Sequence, residues 1–187
     1  YRLEIDGAVT RPLALSLTEL QEMYPQVTVA ATLQCAANRR QELAAFKAIP
    51  DELSWNAEAI SHGVWTGARL GDVLAAAGVE QRAGASLHVA FNGLDQTERL
   101  GQRIRFGGSI PLAKALNPEV LLAHSLNGAP LAAVHGFPLR VVVPGYVGAR
   151  SVKWLKTITV QASPSDNYFQ AHAYRLFPPH VDKDTVE

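Results

Sequence analysis

The sequence VTVAATLQCAANRR, residues 27–40, joins a strand pattern to reactive and cationic side chains. Its first half is β-branched and apolar, which predicts a buried strand. The strand ends at Cys35, the only cysteine of the chain, and Asn38, Arg39 and Arg40 follow it. Cys35 has three interpretations: an inert buried thiol, a nucleophile activated by the arginines, or a ligand of a metal that prefers sulfur. Taken alone, these residues favour the inert thiol.

The composition is that of an ordinary globular protein. The chain has 187 residues, of which 48% are hydrophobic and 18% charged, so one domain over residues 1–187 with a sizeable core is expected. Lysine plus arginine equals aspartate plus glutamate, which argues against a nucleic-acid binder. One cysteine excludes an internal disulfide. The apolar runs are too short to span a bilayer, and no signal peptide is visible.

Short strand patterns alternate irregularly with a few helix patterns. A capping box at Ser16–Glu19 predicts one helix, and residues 70–77 predict another that ends at Gly78. Residues 99–105 are predicted as an exposed loop, and Trp154 is predicted as a core residue. The absence of a regular βαβ alternation predicts an α+β domain with mixed β-sheets. Strands are predicted at residues 1–5, 86–91, 120–126, 139–143 and 151–160.

A second cluster of charged residues lies in HGFPLR, residues 135–140, and PGYVGARSVKWL, residues 144–155. A buried strand joins the two segments, so we expect Arg140 near one end of it and Lys153 beyond the other. Glycines let a backbone approach a ligand closely, and arginine and lysine recognise phosphate. The alternative is a glycine-rich turn with solvated charges. So many cations in a chain without net charge favour a phosphate-bearing cofactor. The glycine spacing does not match a dinucleotide fingerprint.

Several of these segments resemble the molybdenum-cofactor (molybdopterin-binding) domain of the sulfite oxidase family. The matches run in family order over nearly the whole chain, and the resemblance implies that family's molybdopterin-binding fold. The matching segments are TLQCAANRR (32–40), WTGARL (65–70), FNGLD (91–95), SIPLA (109–113), HGFPLR (135–140), VPG (143–145) and KWL (153–155).

The resemblance also implies roles for particular side chains. Cys35 matches the cysteine that ligates molybdenum, and a thiolate is a ligand that such a metal favours. Substrate-pocket positions match Arg40 and Tyr174, with Trp55 near a tryptophan of that pocket. The positions that hold the pterin and its phosphate match Asp95, His135, Arg140, Ser151, Val152 and Lys153.

The activity that the resemblance implies is oxidation of sulfite to sulfate by oxygen-atom transfer. Electrons would leave one at a time to cytochrome c or to a haem domain. One alternative is the molybdenum domain of assimilatory nitrate reductase, although Gln34 favours the sulfite enzymes. Another is a cofactor-free relative that acts as a binding module. The retained Cys35, Arg40, His135 and Lys153 argue against that alternative.

Two departures from the family pattern concern the chain's context and one turn. The family usually has glycine at the position of Ala37. Members also carry an N-terminal segment and a C-terminal dimerisation domain beyond this chain. We therefore expect a portion of a longer protein, a homodimer through that C-terminal domain. Family members work in the periplasm or in the mitochondrial intermembrane space, and the periplasm is the location predicted here.

Other titratable residues are predicted to be structural or solvated. The histidines show no metal-ligand spacing, and the acidic residues near position 50 do not form an acid/base couple. These residues are His62, His88, His124, His172 and His180, and Glu42, Asp51, Glu52 and Glu58.

Overall fold

The computed structural model describes residues 1–49, 52–79, 86–99 and 101–175, so His180 and Asp51 lie outside the described residues. In this part of the chain, no helix has both the length and the apolar character needed to cross a lipid bilayer. The elements are β1 (Leu3–Gly7), β2 (Leu13–Leu15), α1 (Leu17–Met23), β3 (Gln26–Gln34), α2 (Arg40–Ala44), β4 (Ile60–Arg69), α3 (Leu70–Ala77), β5 (His88–Arg99), β6 (Gln102–Pro111), α4 (Leu112–Ala115), β7 (Leu121–Leu126), β8 (Ala129–Pro130), β9 (Arg140–Val142) and β10 (Leu155–Gln161). Short 3₁₀-helices cover Ala133–His135 and Gly148–Arg150, and a π-helix covers Phe169–Ala173.

The strands form two sheets. The first has the order β2-β1-β10-β5-β6, in which β1 and β10 are parallel and the other pairs are antiparallel. The second has the order β3-β4-β7-β8, with β9 paired to β7, and is antiparallel throughout. The predicted α+β fold with mixed sheets and a few short helices is therefore confirmed.

The second sheet is buried on both faces at its centre. Leu122 and Val141 belong to the large core that the two sheets share with α3. Their chain neighbours Leu121 and Val142 face the other way, into a smaller core around Trp65. A strand that is buried on both faces needs apolar residues at every position. This explains the continuous apolar runs in β7 and β9.

The predicted helix signals are confirmed. The Ser16 hydroxyl accepts a hydrogen bond from the Glu19 N–H at 3.1 Å, and the Glu19 carboxylate accepts one from the Ser16 N–H at 2.7 Å. α3 buries its residues at helical spacing, and Gly78 ends it with a left-handed φ of 67°. The buried α3 residues are Leu70, Val73, Leu74 and Ala77.

The prediction that β3 is buried is wrong. β3 is an edge strand that pairs only with β4 among the described strands, and Ala31 is its one buried residue. Val27, Val29 and Leu33 pack against the smaller core, while the alternate side chains face solvent. β-branched residues favour strands even when only one face is covered. The apolar run therefore indicates strand propensity and not burial of both faces.

The exposed loop predicted at residues 99–105 is also wrong. β5 continues to Arg99, and β6 begins at Gln102 and pairs antiparallel with it. The outer part of this hairpin pairs Thr97 with Ile104 and Glu98 with Arg103. Both faces of the outer hairpin are largely solvated, so no apolar alternation marks it.

The last strand begins later than the sequence predicted. Residues 151–154 are not in a strand, and β10 starts at Leu155. Trp154 has a left-handed φ of 48° and is half-buried, with its indole N–H donating to the carbonyl of Ala133 at 2.8 Å. The prediction that Trp154 is a core residue is therefore wrong.

Candidate functional site

A cleft of about 510 Å³ opens at the end of β3 and brings together six of the predicted site residues. We call it the Cys35 cleft. Its walls come from the end of β3, the start of β4, and the segments on either side of β9. The predicted residues that line it are Cys35, Trp55, His135, Arg140, Lys153 and Tyr174.

The Cys35 thiol is exposed in this cleft. The chain leaves β3 with the Cys35 N–H bonded to the Ala59 carbonyl at 2.9 Å, and the Ala37 N–H lies 3.5 Å from Sγ. A thiol so placed can reach a ligand, so the interpretation of Cys35 as a buried thiol is wrong. Ala37 is well accommodated because the left-handed residue of this turn is Arg39, with φ 64°.

Gly148 closes the wall beside Cys35. A Cβ atom at this position would lie 3.1 Å from the carbonyl oxygen of Gln34, which is tighter than ordinary contact. Glycine therefore lets the 3₁₀ turn Gly148–Arg150 approach the end of β3. This close approach is one reason why the glycine-rich segment is part of the site.

Arg140 is a buried cation in the Cys35 cleft, with 6% of its surface exposed. Its Nη1 donates to the His135 carbonyl at 3.0 Å and its Nη2 to the Ser151 carbonyl at 2.9 Å. The guanidinium carbon lies 4.8 Å from the centre of the Trp65 ring. Burial lowers the pKa of Arg140 to about 10. The group thus remains cationic at neutral pH.

No acidic group among the described residues pairs with Arg140, and its buried Nε has no hydrogen-bond partner there. Burying a charge is costly unless a partner compensates it. Backbone carbonyls and one aromatic face compensate it only in part. The site therefore offers a preformed cation to an anionic ligand.

Lys153 lies beside Arg140. The prediction that it lies beyond the far end of the buried strand is therefore wrong. The Val141 N–H donates to the Val152 carbonyl at 3.0 Å, and the Leu155 N–H donates to the Leu139 carbonyl at 2.9 Å. The chain thus reverses after β9 and runs back along it. This reversal concentrates the predicted cations on one wall of the cleft.

The Lys153 ammonium is held near the cleft by two contacts. It donates to the Val134 carbonyl at 2.9 Å and lies 4.1 Å from the centre of the Trp154 ring. Partial burial lowers the pKa of Lys153, and the charge of Arg140 lowers it further, while Asp95 acts in the opposite direction. His135, at the end of its 3₁₀-helix, supplies an exposed imidazole to the same wall.

The remaining predicted cofactor residues lie behind the cleft. Asp95 sits at an irregularity of β5, and burial raises the pKa of its carboxyl group despite Lys153 and Arg105. The Ser151 hydroxyl accepts the Val143 N–H at 3.0 Å. Val152 as a whole residue is 1% exposed and packs in the large core.

Arg40 lies in an adjoining cleft of about 700 Å³, which we call the Arg40 cleft. Ala36 and Tyr174 line both clefts, so the two spaces meet next to Cys35. Trp55 lines the Cys35 cleft and is 46% exposed. The structure therefore places Arg40 and Trp55 in different clefts, and Tyr174 lines both.

Tyr174 is the residue that connects the two clefts. Burial is the main cause that raises the pKa of its phenol, and the nearby Cys35 and Glu52 raise it further. Arg40 and Arg150 act in the opposite direction. The hydroxyl stays protonated at neutral pH and can donate a hydrogen bond.

The π-helix that precedes Tyr174 is fixed against β6. The Gln170 side-chain amide donates to the Ser109 hydroxyl at 3.1 Å, and the Asn167 amide donates to the Arg105 carbonyl at 2.9 Å. The rings of Phe169 and Phe106 lie 4.4 Å apart. π-helical turns are rare and often occur at functional sites. No periodic pattern in the sequence marks this segment.

Three further residues shape the site without having been predicted there. Trp65 stacks under Arg140, and Arg150 is buried with an Nη1 that lacks a partner among the described residues. Glu52 lines the Arg40 cleft and pairs with Arg40, so it is not the solvated carboxylate predicted from the sequence. The cations close to Arg150 in the sequence could have identified it as a site residue. No pattern in the sequence marks Glu52 as one.

The histidines and acidic residues that the structure describes elsewhere form no metal cage. Within the described ranges, no three His, Cys, Asp or Glu side chains are grouped so that they could hold a metal ion. His124 instead bridges two amides, with Nε2 3.0 Å from Gln26 Oε1 and Nδ1 3.3 Å from Gln21 Nε2. Burial lowers the pKa of His124.

The fold and the site together define a domain that holds an anionic cofactor next to a free thiol. The profile of the oxidoreductase molybdopterin binding domain family matches residues 1–169. The chain belongs to this family. It is thus an oxidoreductase domain, and its cofactor is a molybdopterin-type molybdenum cofactor.

Several characterised proteins are similar to the chain. Mitochondrial sulfite oxidase of Macaca fascicularis is 49% identical over 100% of this chain and 34% of its own length, and sulfite oxidase of Gallus gallus is 46% identical over 100% and 40%. Nitrate reductase (NADH) 1 of Oryza sativa subsp. japonica is 39% identical over 98% and 20%. The crystal structure of the sulfane dehydrogenase SoxCD from Paracoccus pantotrophus matches with a TM-score of 0.73 and 28% identity, over 90% of this chain and 40% of that one. The chain thus spans 40% or less of each of these relatives.

Proposed function

We propose that this domain catalyses the molybdenum-dependent oxidation of sulfite to sulfate. The observation that carries the proposal is the position of Cys35 between two cationic clefts. One contains the buried Arg140, which pairs with no acidic group in the described part of the chain, and the other contains Arg40. Matches to sulfite oxidases over the whole of this chain, at 49% and 46% identity, support the same activity.

The residues of the Cys35 cleft fit the cofactor. A phosphate would provide the anion that Arg140 and Lys153 lack among the described residues, since phosphate oxygens accept hydrogen bonds from cationic side chains. The Cys35 thiolate would ligate the metal. His135, Asp95, and the Ser151 and Val152 backbone would hold the rest of the group. When bound, the cofactor supplies oxygen-atom transfer and two-electron redox chemistry.

The residues of the Arg40 cleft would bind and orient the substrate. The Arg40 guanidinium attracts a small oxyanion and fixes its position by charge. Tyr174, whose hydroxyl stays protonated, donates a hydrogen bond at the junction of the two clefts. Trp55 supplies an apolar wall on the Cys35 side, which limits the access of water.

A direct assay separates the candidate activities. Protein made in a host that synthesises the cofactor is mixed with sulfite and either ferricyanide or cytochrome c. In parallel it is mixed with nitrate and a reduced viologen. Turnover of sulfite without turnover of nitrate supports the proposal. The opposite result would assign the nitrate reductase alternative, and no turnover with bound molybdenum would exclude both activities.

The nitrate alternative has weaker support in this chain. The nitrate reductases match at 39% and 38% identity, below the sulfite oxidases, and Gln34 precedes the thiol. A cofactor-free binding module would not need a buried cation that lacks an anionic partner. Wild-type protein without molybdenum, from a cofactor-competent host, would favour that module.

The electron acceptor and cellular location belong to the same proposal. We propose that a cytochrome c or a haem domain accepts the electrons one at a time. The periplasm is the proposed location, and the mitochondrial intermembrane space is the alternative, since one of the similar sulfite oxidases is mitochondrial. Dimerisation through a further C-terminal domain also stays a prediction, and light scattering of the full-length protein would test it.

A further inference from the structure

Glu52 lies on the guanidinium that the substrate would use. Its Oε2 is 2.7 Å from Nη1 of Arg40, and both residues line the Arg40 cleft. The same Nη1 donates to the Leu53 carbonyl at 3.0 Å. The Arg40 side chain is 19% exposed, whereas that of Glu52 is 55% exposed. The arginine is thus held in place, while the carboxylate reaches it from the solvent side.

The carboxylate of Glu52 resembles a small oxyanion in charge and in hydrogen-bond geometry. Both are small anionic groups whose oxygens accept hydrogen bonds from a guanidinium. An oxyanion that enters the cleft must therefore replace Glu52 on Nη1 or share the arginine with it. Ion pairs with an exposed partner are weak, so an external anion can displace this carboxylate.

We propose that Glu52 is a specificity-determining residue that occupies the anion-binding face of Arg40 and is displaced when an oxyanion binds. It would set how tightly the cleft holds small oxyanions, the class that includes both sulfite and sulfate. A product anion that competes with a built-in carboxylate leaves more readily than one held by a free arginine. This inference rests on the proposed function of Arg40 as the substrate-binding arginine.

The chain offers a matched control in Glu42. This residue also forms an ion pair with an arginine, Arg39, with Nε 2.8 Å from Oε1. Both partners are more than half exposed. Glu42 is not among the residues that line the Arg40 cleft. Glu42→Gln thus removes the same charge from the same region without freeing Arg40.

The test measures sulfate binding by calorimetry to cofactor-loaded protein at low ionic strength, where surface charges are least screened. Sulfate is an oxyanion that the enzyme does not consume. We expect Glu52→Gln to bind sulfate about three- to five-fold more tightly than wild type, which is the range of a weak ion pair. Glu42→Gln should bind sulfate as wild type does. The gain from Glu52→Gln should disappear in the double variant with Arg40→Met, because the pair is then already broken.

Unchanged or weaker sulfate binding by Glu52→Gln would overturn the inference. So would an equal gain from Glu42→Gln, or a gain that persists without Arg40. This readout does not need turnover. If the wild type binds sulfate as expected but does not oxidise sulfite, the proposed function fails while the role of Glu52 in anion binding stands.

Discussion

Arg140 and Arg40 are two arginines on either side of Cys35, and their surroundings differ. Arg140 is buried, is held by two carbonyls and an aromatic ring, and has no acidic partner among the residues described. Arg40 reaches an open cleft and pairs with Glu52. Arg140 is thus a fixed cation with no acidic partner among those residues, whereas Arg40 is already neutralised by a carboxylate that can move.

The difference indicates two kinds of anion. A buried cation without a counter-ion favours an anion that stays bound, because losing it would leave the buried charge uncompensated. A cation whose partner is exposed suits an anion that exchanges, because the partner can replace it at small cost. We therefore assign the retained cofactor to Arg140 and the substrate to Arg40.

Arg140→Met should cost the protein its cofactor. Hydrogen bonds to charged groups contribute about 1.5–3 kcal/mol, which corresponds to roughly ten- to hundred-fold weaker retention. Molybdenum analysis and the fluorescence of the oxidised pterin in purified protein would measure the loss. Arg140→Lys, which keeps the charge, should retain more cofactor. Full cofactor content in Arg140→Met would contradict the assignment.

Arg40→Met should leave the cofactor content unchanged and weaken the binding of substrate. Loss of one charged contact predicts about a ten-fold or larger increase in KM for sulfite. Steady-state kinetics with ferricyanide, beside a molybdenum analysis of the same sample, would measure both. Arg39→Met is the control, since Arg39 is exposed and outside both clefts. If Arg40→Met lost cofactor as Arg140→Met does, the two arginines would not differ in role.

Gln170→Leu should lower turnover without loss of cofactor, by loosening the segment that carries Tyr174. Gln170 acts here as a positioning residue through its bonds to Ser109. Neutral hydrogen bonds contribute about 0.5–1.5 kcal/mol, so kcat/KM should fall by roughly two- to ten-fold. Near-ultraviolet circular dichroism should change as well, while the molybdenum content should not. The control is Gln161→Leu, whose amide bonds to Ser163 in the same region of the chain. Equal kinetics for both variants would remove Gln170 from the account.

His124 should give the fold a pH dependence that both arginines lack. Burial lowers the pKa of His124 below its ordinary 6.5, so the unfolded chain binds a proton first as the pH falls. The free energy of unfolding should therefore decrease as the pH falls through about 6.5, until folded His124 is itself protonated. Urea denaturation across this range would measure it. His124→Gln should show a flatter profile, and an unchanged slope would mean that other groups set the dependence.

The sequence could predict those features that short-range patterns determine. The capping box at Ser16, the glycine end of α3 and the placement of Cys35 at a strand end all depend on neighbouring residues, and the structure has all three. The outer β5–β6 hairpin was missed because both of its faces are largely solvated, which leaves no apolar period to detect.

Long-range features of the site were beyond the same patterns. Lys153 lies next to Arg140 because the chain reverses after β9, and no local signal encodes that path. Glu52 reaches Arg40 across an irregular segment, so it could not be told from a solvated carboxylate. The sequence motifs identified most of the cleft residues. Only the structure shows that Arg40 has an acidic partner within the chain, Glu52.

The most direct test of the central claim compares wild type with Cys35→Ser, both from a host that synthesises the cofactor. Sulfite-dependent reduction of ferricyanide is measured beside the molybdenum content and the circular dichroism of each protein. Wild type should contain stoichiometric molybdenum and turn over sulfite, whereas Cys35→Ser should lose turnover with its fold intact. Full sulfite oxidation by Cys35→Ser would contradict the assignment of Cys35 as the metal ligand.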